Sequence, residues 1–89
     1  MLVVKVLGPG CKNCERLEIH AVQAAEQVQA ENPKLEVTVE KVVDMNTFLD
    51  YGLLKTPGLV INEKLISSGR IPSQSEIAGW MKEALTSED

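Results

Sequence analysis

Cys11 and Cys14 are the only two cysteines in the chain, and two residues separate them. They stand where a short apolar run, Leu2-Val3-Val4-Lys5-Val6-Leu7, gives way through Gly8-Pro9-Gly10 to a long amphipathic stretch. A cysteine in the first turn of a helix meets unpaired backbone N–H groups and the positive end of the helix dipole. Both favour the thiolate, which is the reactive form. A second cysteine three residues on lies about one turn later, within reach of a disulfide. Lys12 beside Cys11 adds a positive charge, so the Cys11 thiol is expected to fall from about 8.5 toward neutrality.

This pattern reads as a redox switch, and rival readings can be weighed against it. A purely structural bond across four residues joins no distant parts of the chain and adds modest entropic stabilisation. Tetrahedral zinc takes four ligands, and the chain offers one thiol pair. His20 lies six residues beyond Cys14 and on a helix points well away from it, so it is expected at the surface. Two copies sharing four thiolates, or copper(I) held by two, keep a soft-metal module as the alternative function. A redox sensor that does not turn over is a third reading. No metal site and no cofactor is expected under the main reading.

Composition narrows the setting. The 89 residues are 44% hydrophobic and carry a net charge of −4, with three aromatics, Phe48, Tyr51 and Trp80. One domain spanning residues 1–89 is the expectation for this length, with residues 86–89 as a frayed tail. The core must be mostly Val, Leu, Ile and Ala, with Phe48, Trp80 and Met81 joining it. Scattered cations in an acidic chain argue against nucleic acid or an anionic membrane as partner. No run is long enough to cross a bilayer, and the first apolar run is too short for a signal-peptide core. A cytoplasmic monomer is expected, where Cys-x-x-Cys pairs are redox-active or metal-binding.

The elements that must position the pair follow from periodicity. Leu2–Leu7 reads as a buried strand. From Lys12 to about Glu31, Cys14, Leu17, Ala21, Ala24 and Val28 form one apolar helical stripe, ended by Asn32-Pro33. Leu35–Glu40 alternates strictly and predicts a second strand. Asp44 caps a short helix to Tyr51, and Gly52 stops it. Leu59-Val60-Ile61 and Leu65-Ile66-Ser67 flank Asn62-Glu63-Lys64 as an antiparallel hairpin. Ser73 with Glu76 is a capping box before a last helix that turns Ile77, Trp80, Met81, Ala84 and Leu85 inward. A right-handed crossover makes the first two strands parallel neighbours.

This β-α-β-α-β-β-α order, with Cys-x-x-Cys after the first strand and Thr56-Pro57 immediately before the third, resembles the thioredoxin fold in its minimal, glutaredoxin-sized form. The stretches Gly8–Cys14 and Tyr51–Asn62 are similar to the small thioredoxin-like redox-active disulfide proteins of bacteria and archaea. The resemblance implies an α/β fold with a four-stranded mixed sheet in the order 2-1-3-4, flanked by three helices. It implies a cis bond before Pro57 and a thiol–disulfide oxidoreductase in which Cys11 attacks and Cys14 resolves. Gly10, Lys12, Asn13, Thr56 and Pro57 would then meet the substrate, a disulfide-containing protein or small molecule, and a separate reductase would supply electrons. Gly8 and Gly10 would leave the loop open to that substrate. Three departures stand out. Gly10 replaces the Trp that precedes the first cysteine of thioredoxins, Leu2–Leu7 holds no acid, and no Asp follows Ser68-Gly69-Arg70. These argue against glutathione and against an ordinary thioredoxin reductase as the reductant. Copper chaperones also place Cys-x-x-Cys between a strand and a helix. They lack the helix between the second and third strands, the Thr-Pro and the final helix.

Overall fold

The computed structural model describes residues 2–86. Seven elements follow one another: β1 (Leu2–Leu7), α1 (Lys12–Glu31), β2 (Val37–Val42), α2 (Met45–Asp50), β3 (Gly58–Ile61), β4 (Lys64–Ser68) and α3 (Gln74–Thr86). Thr86, assigned to a tail by the sequence, is instead the last residue of α3; the rest of that expected tail, residues 87–89, lies outside the described residues.

The strands lie in the order β2-β1-β3-β4, the order the resemblance implied. β1 pairs parallel with β2 from Leu2↔Val37 to Leu7↔Val42, and antiparallel with β3 from Val4↔Ile61 to Leu7↔Gly58. β2 begins and ends two residues later than its alternation suggested. Leu35 belongs to a turn, its N–H bonded to the Asn32 carbonyl, while pairing with β1 carries the strand on to Val42.

Side-chain alternation sorts the sheet into two faces. Leu2, Val4, Val6, Leu59 and Ile61 meet Leu17, Ala21, Ala24, Ala25 and Val28 of α1 and Ile77, Ala78 and Met81 of α3. The opposite face is thinner: Leu7 and Val60 pack with Phe48 and Leu53. Trp80, expected in the core, is only partly buried, and it lines an open groove with Ile61 and Ile66.

Local chemistry ends the helices as the sequence indicates. Asp44 Oδ1 accepts from Asn46 N–H (2.9 Å) and caps α2. Ser73 Oγ accepts from Glu76 N–H (3.2 Å), while Ser73 N–H reaches back to Glu76 Oε1 (3.5 Å). His20 departs from its expected surface role. Its ring is half-buried and Nδ1–H donates to the Pro72 carbonyl (2.9 Å), joining α1 to the approach of α3. Among the described residues no helix is long and apolar enough to cross a membrane.

Candidate functional site

The end of β1 fixes the start of α1. Gly8 N–H donates to the Val42 carbonyl (3.0 Å), holding the loop to the sheet edge. Gly10 then turns the chain at φ 98°, a left-handed conformation that favours glycine. Cys11 is the N-cap of α1. Its backbone is extended, its carbonyl accepts from Glu15 N–H (3.0 Å), and its Sγ accepts from Cys14 N–H (3.2 Å). A sulfur in this position occupies the place where a capping oxygen usually satisfies a free helix donor. On reduction, the same N–H and the aligned dipoles of a 20-residue helix would stabilise negative charge on Cys11.

Cys11 and Cys14 are joined as a disulfide, with their Cα atoms 5.0 Å apart. The two sulfurs have different surroundings. Cys11 is exposed, whereas Cys14 is 6% exposed and lies on the inward stripe of α1. Burial of Cys14 depends on Gly8. A Cβ at Gly8 would overlap Cys14 Sγ and stand 3.9 Å from the Pro57 Cα. Gly8 is itself buried, so its missing side chain makes room for a sulfur inside rather than for a substrate outside. That corrects the reading of Gly8 as an open approach; Gly10 is exposed. The signal for Gly8 was present in the sequence, but a close approach between distant segments cannot be read from spacing.

Pro57 is buried beside this pair, and the Thr56–Pro57 peptide is cis. The Pro57 carbonyl accepts from Gly69 N–H (2.9 Å), which brings the loop after β4 to the same place. Lys55 packs there too, its Cβ 3.0 Å from where a Cβ on Gly69 would stand. Three loops therefore meet around Pro57: Gly8–Cys11, Lys55–Pro57 and Gly69–Arg70. Lys12, Asn13 and Thr56 are exposed. Arg70 pairs with Glu76 (3.3 Å).

Tyr51 closes the second helix, as its place in the sequence indicates. It is the C-cap of α2, and its hydroxyl accepts from Lys5 Nζ (2.8 Å) and donates to Glu63. Lys5 Nζ also donates to Glu63 Oε1 (2.8 Å). These bonds hold the Lys5 ammonium well above its ordinary range and the Glu63 carboxyl below its own. Two depressions lie in this part of the surface, the first of them at Cys14 and the second beside Thr56. One of about 60 Å³ is lined by Gly8, Gly10, Cys14, Glu15, Lys41 and Val43, the other by Met45, Leu49, Leu54 and Thr56. Among the described residues no group of three or more His, Cys, Asp or Glu could hold a metal ion.

An exposed cysteine capping a helix, disulfide-bonded to a buried one and set against a proline that precedes an antiparallel strand, defines a thioredoxin-like redox protein by fold and site. A family model described as a thioredoxin domain matches residues 2–82, and the chain belongs to that family. It is similar to a thioredoxin of Methanothermobacter thermautotrophicus, 32% identical over 77 residues, covering 86% of this chain and 94% of that protein. It is also similar to a thioredoxin of Methanocaldococcus jannaschii, 27% identical over 85 residues, covering 96% and 92% respectively. The relatives and the bonded Cys11–Cys14 pair together support a thiol–disulfide oxidoreductase role.

Proposed function

We propose that residues 1–89 act as one thioredoxin-like domain that cycles Cys11 and Cys14 between dithiol and disulfide to reduce disulfides in proteins or small molecules. The observation that carries this reading is the asymmetry of the pair. Cys11 is exposed and caps α1, while Cys14 is buried one turn behind it. In the reduced protein the Cys11 thiolate attacks one sulfur of the substrate and expels the other as a thiolate. A mixed disulfide on Cys11 results. Cys14, losing its proton, attacks Cys11 Sγ; the internal disulfide forms and the second substrate sulfur leaves. Two electrons have then passed from the dithiol to the substrate, and a separate reductase restores the dithiol.

Gly10, Lys12, Asn13 and Thr56 form the rim that meets the substrate, and Pro57 sits beside the sulfurs. Thr56 is exposed next to a residue with no N–H, so its backbone is free to pair with an extended substrate segment as a short added strand. The sulfurs store the electrons themselves, so no cofactor enters. The proposed setting is a reducing cytoplasm, where such a pair works as a monomer. Turnover with an electron donor separates this reading from a sensor or a soft-metal module.

The test uses two variants. Cys14→Ser, expressed in cells, should accumulate mixed disulfides on Cys11 that dithiothreitol releases, because no internal resolver remains. Cys11→Ser should lose disulfide exchange by at least two orders of magnitude on the scale typical of removed nucleophiles. Exchange that survives in Cys11→Ser would sink the assignment.

A further inference from the structure

The charge around the disulfide runs against the charge of the chain. Net charge is −4. Yet the three segments around the cysteines and Pro57 contain no acid: Gly8–Asn13 contributes Lys12, Leu53–Gly58 contributes Lys55, and Ser68–Pro72 contributes Arg70. Lys12 and Lys55 are exposed and have no ion-pair partner among the described residues. Lys55 is placed by its packing on Gly69, whose N–H is bonded to Pro57. The N-terminus of α1 adds its dipole at the same point. Acids do lie nearby, and two of them are paired. Glu76 pairs with Arg70, and Glu18 pairs with Lys41 at 3.4 Å. Glu15 is exposed, has no ion-pair partner among the described residues, and lines the small depression at Cys14 with Lys41 and Val43. Lys12, next to Cys11, and Lys55, near Pro57, are thus two unpaired cations by the helix terminus, against one unpaired acid, Glu15, on the Cys14 side.

We infer that this site selects disulfides carrying an anionic group, a carboxylate, sulfonate or phosphate, within a few bonds of the sulfur. The inference rests on the exchange reaction proposed above and names its substrate class. The step itself is unchanged. Reduced protein and RSSR give oxidised protein and two RSH, with both electrons moving from Cys11 and Cys14 to the substrate sulfurs. The cations act before and during the first attack. They raise the local concentration of anionic substrate and offset the charge of the leaving thiolate. Charges within about 8 Å across water, at low ionic strength, are together worth about a tenfold bias between substrates of opposite sign.

The test measures how fast pre-reduced protein is oxidised by 3,3′-dithiodipropionate, cystamine and hydroxyethyl disulfide. Each rate is divided by that of dithiothreitol on the same disulfide, which removes intrinsic reactivity. A second arm uses one oxidised peptide with Asp or with Lys flanking its cystine. The expected result is a preference of about tenfold for the anionic over the cationic form at low salt. It should shrink in 0.5 M NaCl and in Lys55→Gln, and further in Lys55→Glu. Preference confined to the small disulfides assigns the anion to a small molecule; preference in the peptide arm assigns it to a protein segment. Equal normalised rates in both arms would overturn the inference and leave the exchange reaction standing. Failure to oxidise even with hydroxyethyl disulfide would overturn both.

Discussion

Gly8 shows how much one missing side chain can decide. The two cysteines differ chemically because one is exposed and the other buried, and the buried sulfur occupies the space a Cβ at Gly8 would take. Gly8→Ala forces Cys14, a residue of a well-packed stripe, to move. Overpacking of this kind costs about 1–3 kcal/mol. Denaturant unfolding of the oxidised protein should show that loss. Alkylation of the reduced protein should show Cys14 more accessible than in the parent; an unchanged midpoint with an unreactive Cys14 would refute the account. The cysteines, Lys12 and Thr56-Pro57 were legible because their chemistry is carried by residue type and spacing. Gly8 was legible only as a gap, since its neighbours come from α1 and from the segment before β3. His20 was misread for the same reason: helical spacing places it away from Cys14, but says nothing of the Pro72 carbonyl that meets it.

At the scale of elements, helices were legible almost to the residue, because caps and stops are local. Asp44, Ser73 and Glu76 act within three residues of themselves. β2 was displaced by two residues because an edge strand takes its bounds from its partner, here β1. What joins the elements is less visible still. Asn62 and Glu63 turn the β3–β4 hairpin at φ 49° and 68°, and Asn62 exchanges hydrogen bonds with Val3: its Oδ1 accepts from Val3 N–H (3.1 Å) and its N–H donates to the Val3 carbonyl (2.9 Å). Glu63 then faces Lys5 of β1 and Tyr51 at the end of α2, so three elements share one polar knot. Its pH dependence follows from the two shifts. Glu63 is held below the ordinary carboxylate value of 4.5, so its contribution is complete above that value and is lost as pH falls through the depressed one. Lys5 is raised above 10.5, so its contribution is complete below that and fades only as pH rises through the raised value. Solvent screens so exposed a pair, and the effect is correspondingly small. Glu63→Gln should lower Tm by a few degrees at pH 7, and the difference should shrink as pH falls toward 2 and the parent's own carboxyl takes up its proton. A difference that persists undiminished at pH 2 would show that the knot is not electrostatic.

Across the whole molecule, the sheet divides stability unequally. On one face β1 and β3 are covered by both α1 and α3; on the other Leu7 and Val60 meet Phe48 and Leu53, with Val42, Tyr51 and Leu65 only partly buried around them. The six-residue α2 is far shorter than a helix that holds itself in water, so it depends on its Asp44 cap and on Phe48. Met45, Leu49 and Leu54 remain exposed around it. Segments with few buried contacts open locally at lower free energy than the global transition. Cys14 sits on the thick side, in a helix whose apolar stripe runs from Cys14 to Val28, whereas the approach to Thr56 and Pro57 passes through the thin side. The pair is therefore held rigidly while the neighbouring segment has room to adjust to a substrate. Amide hydrogen exchange should resolve this into two tiers. Residues 47–53 should exchange at least tenfold faster than β1, β3 and the middle of α1, because they open without unfolding the rest. Phe48→Ala should widen that gap, speeding exchange in α2 more than in α1. Equal protection across both faces, in the parent and in Phe48→Ala, would mean that the sheet and all three helices open only together.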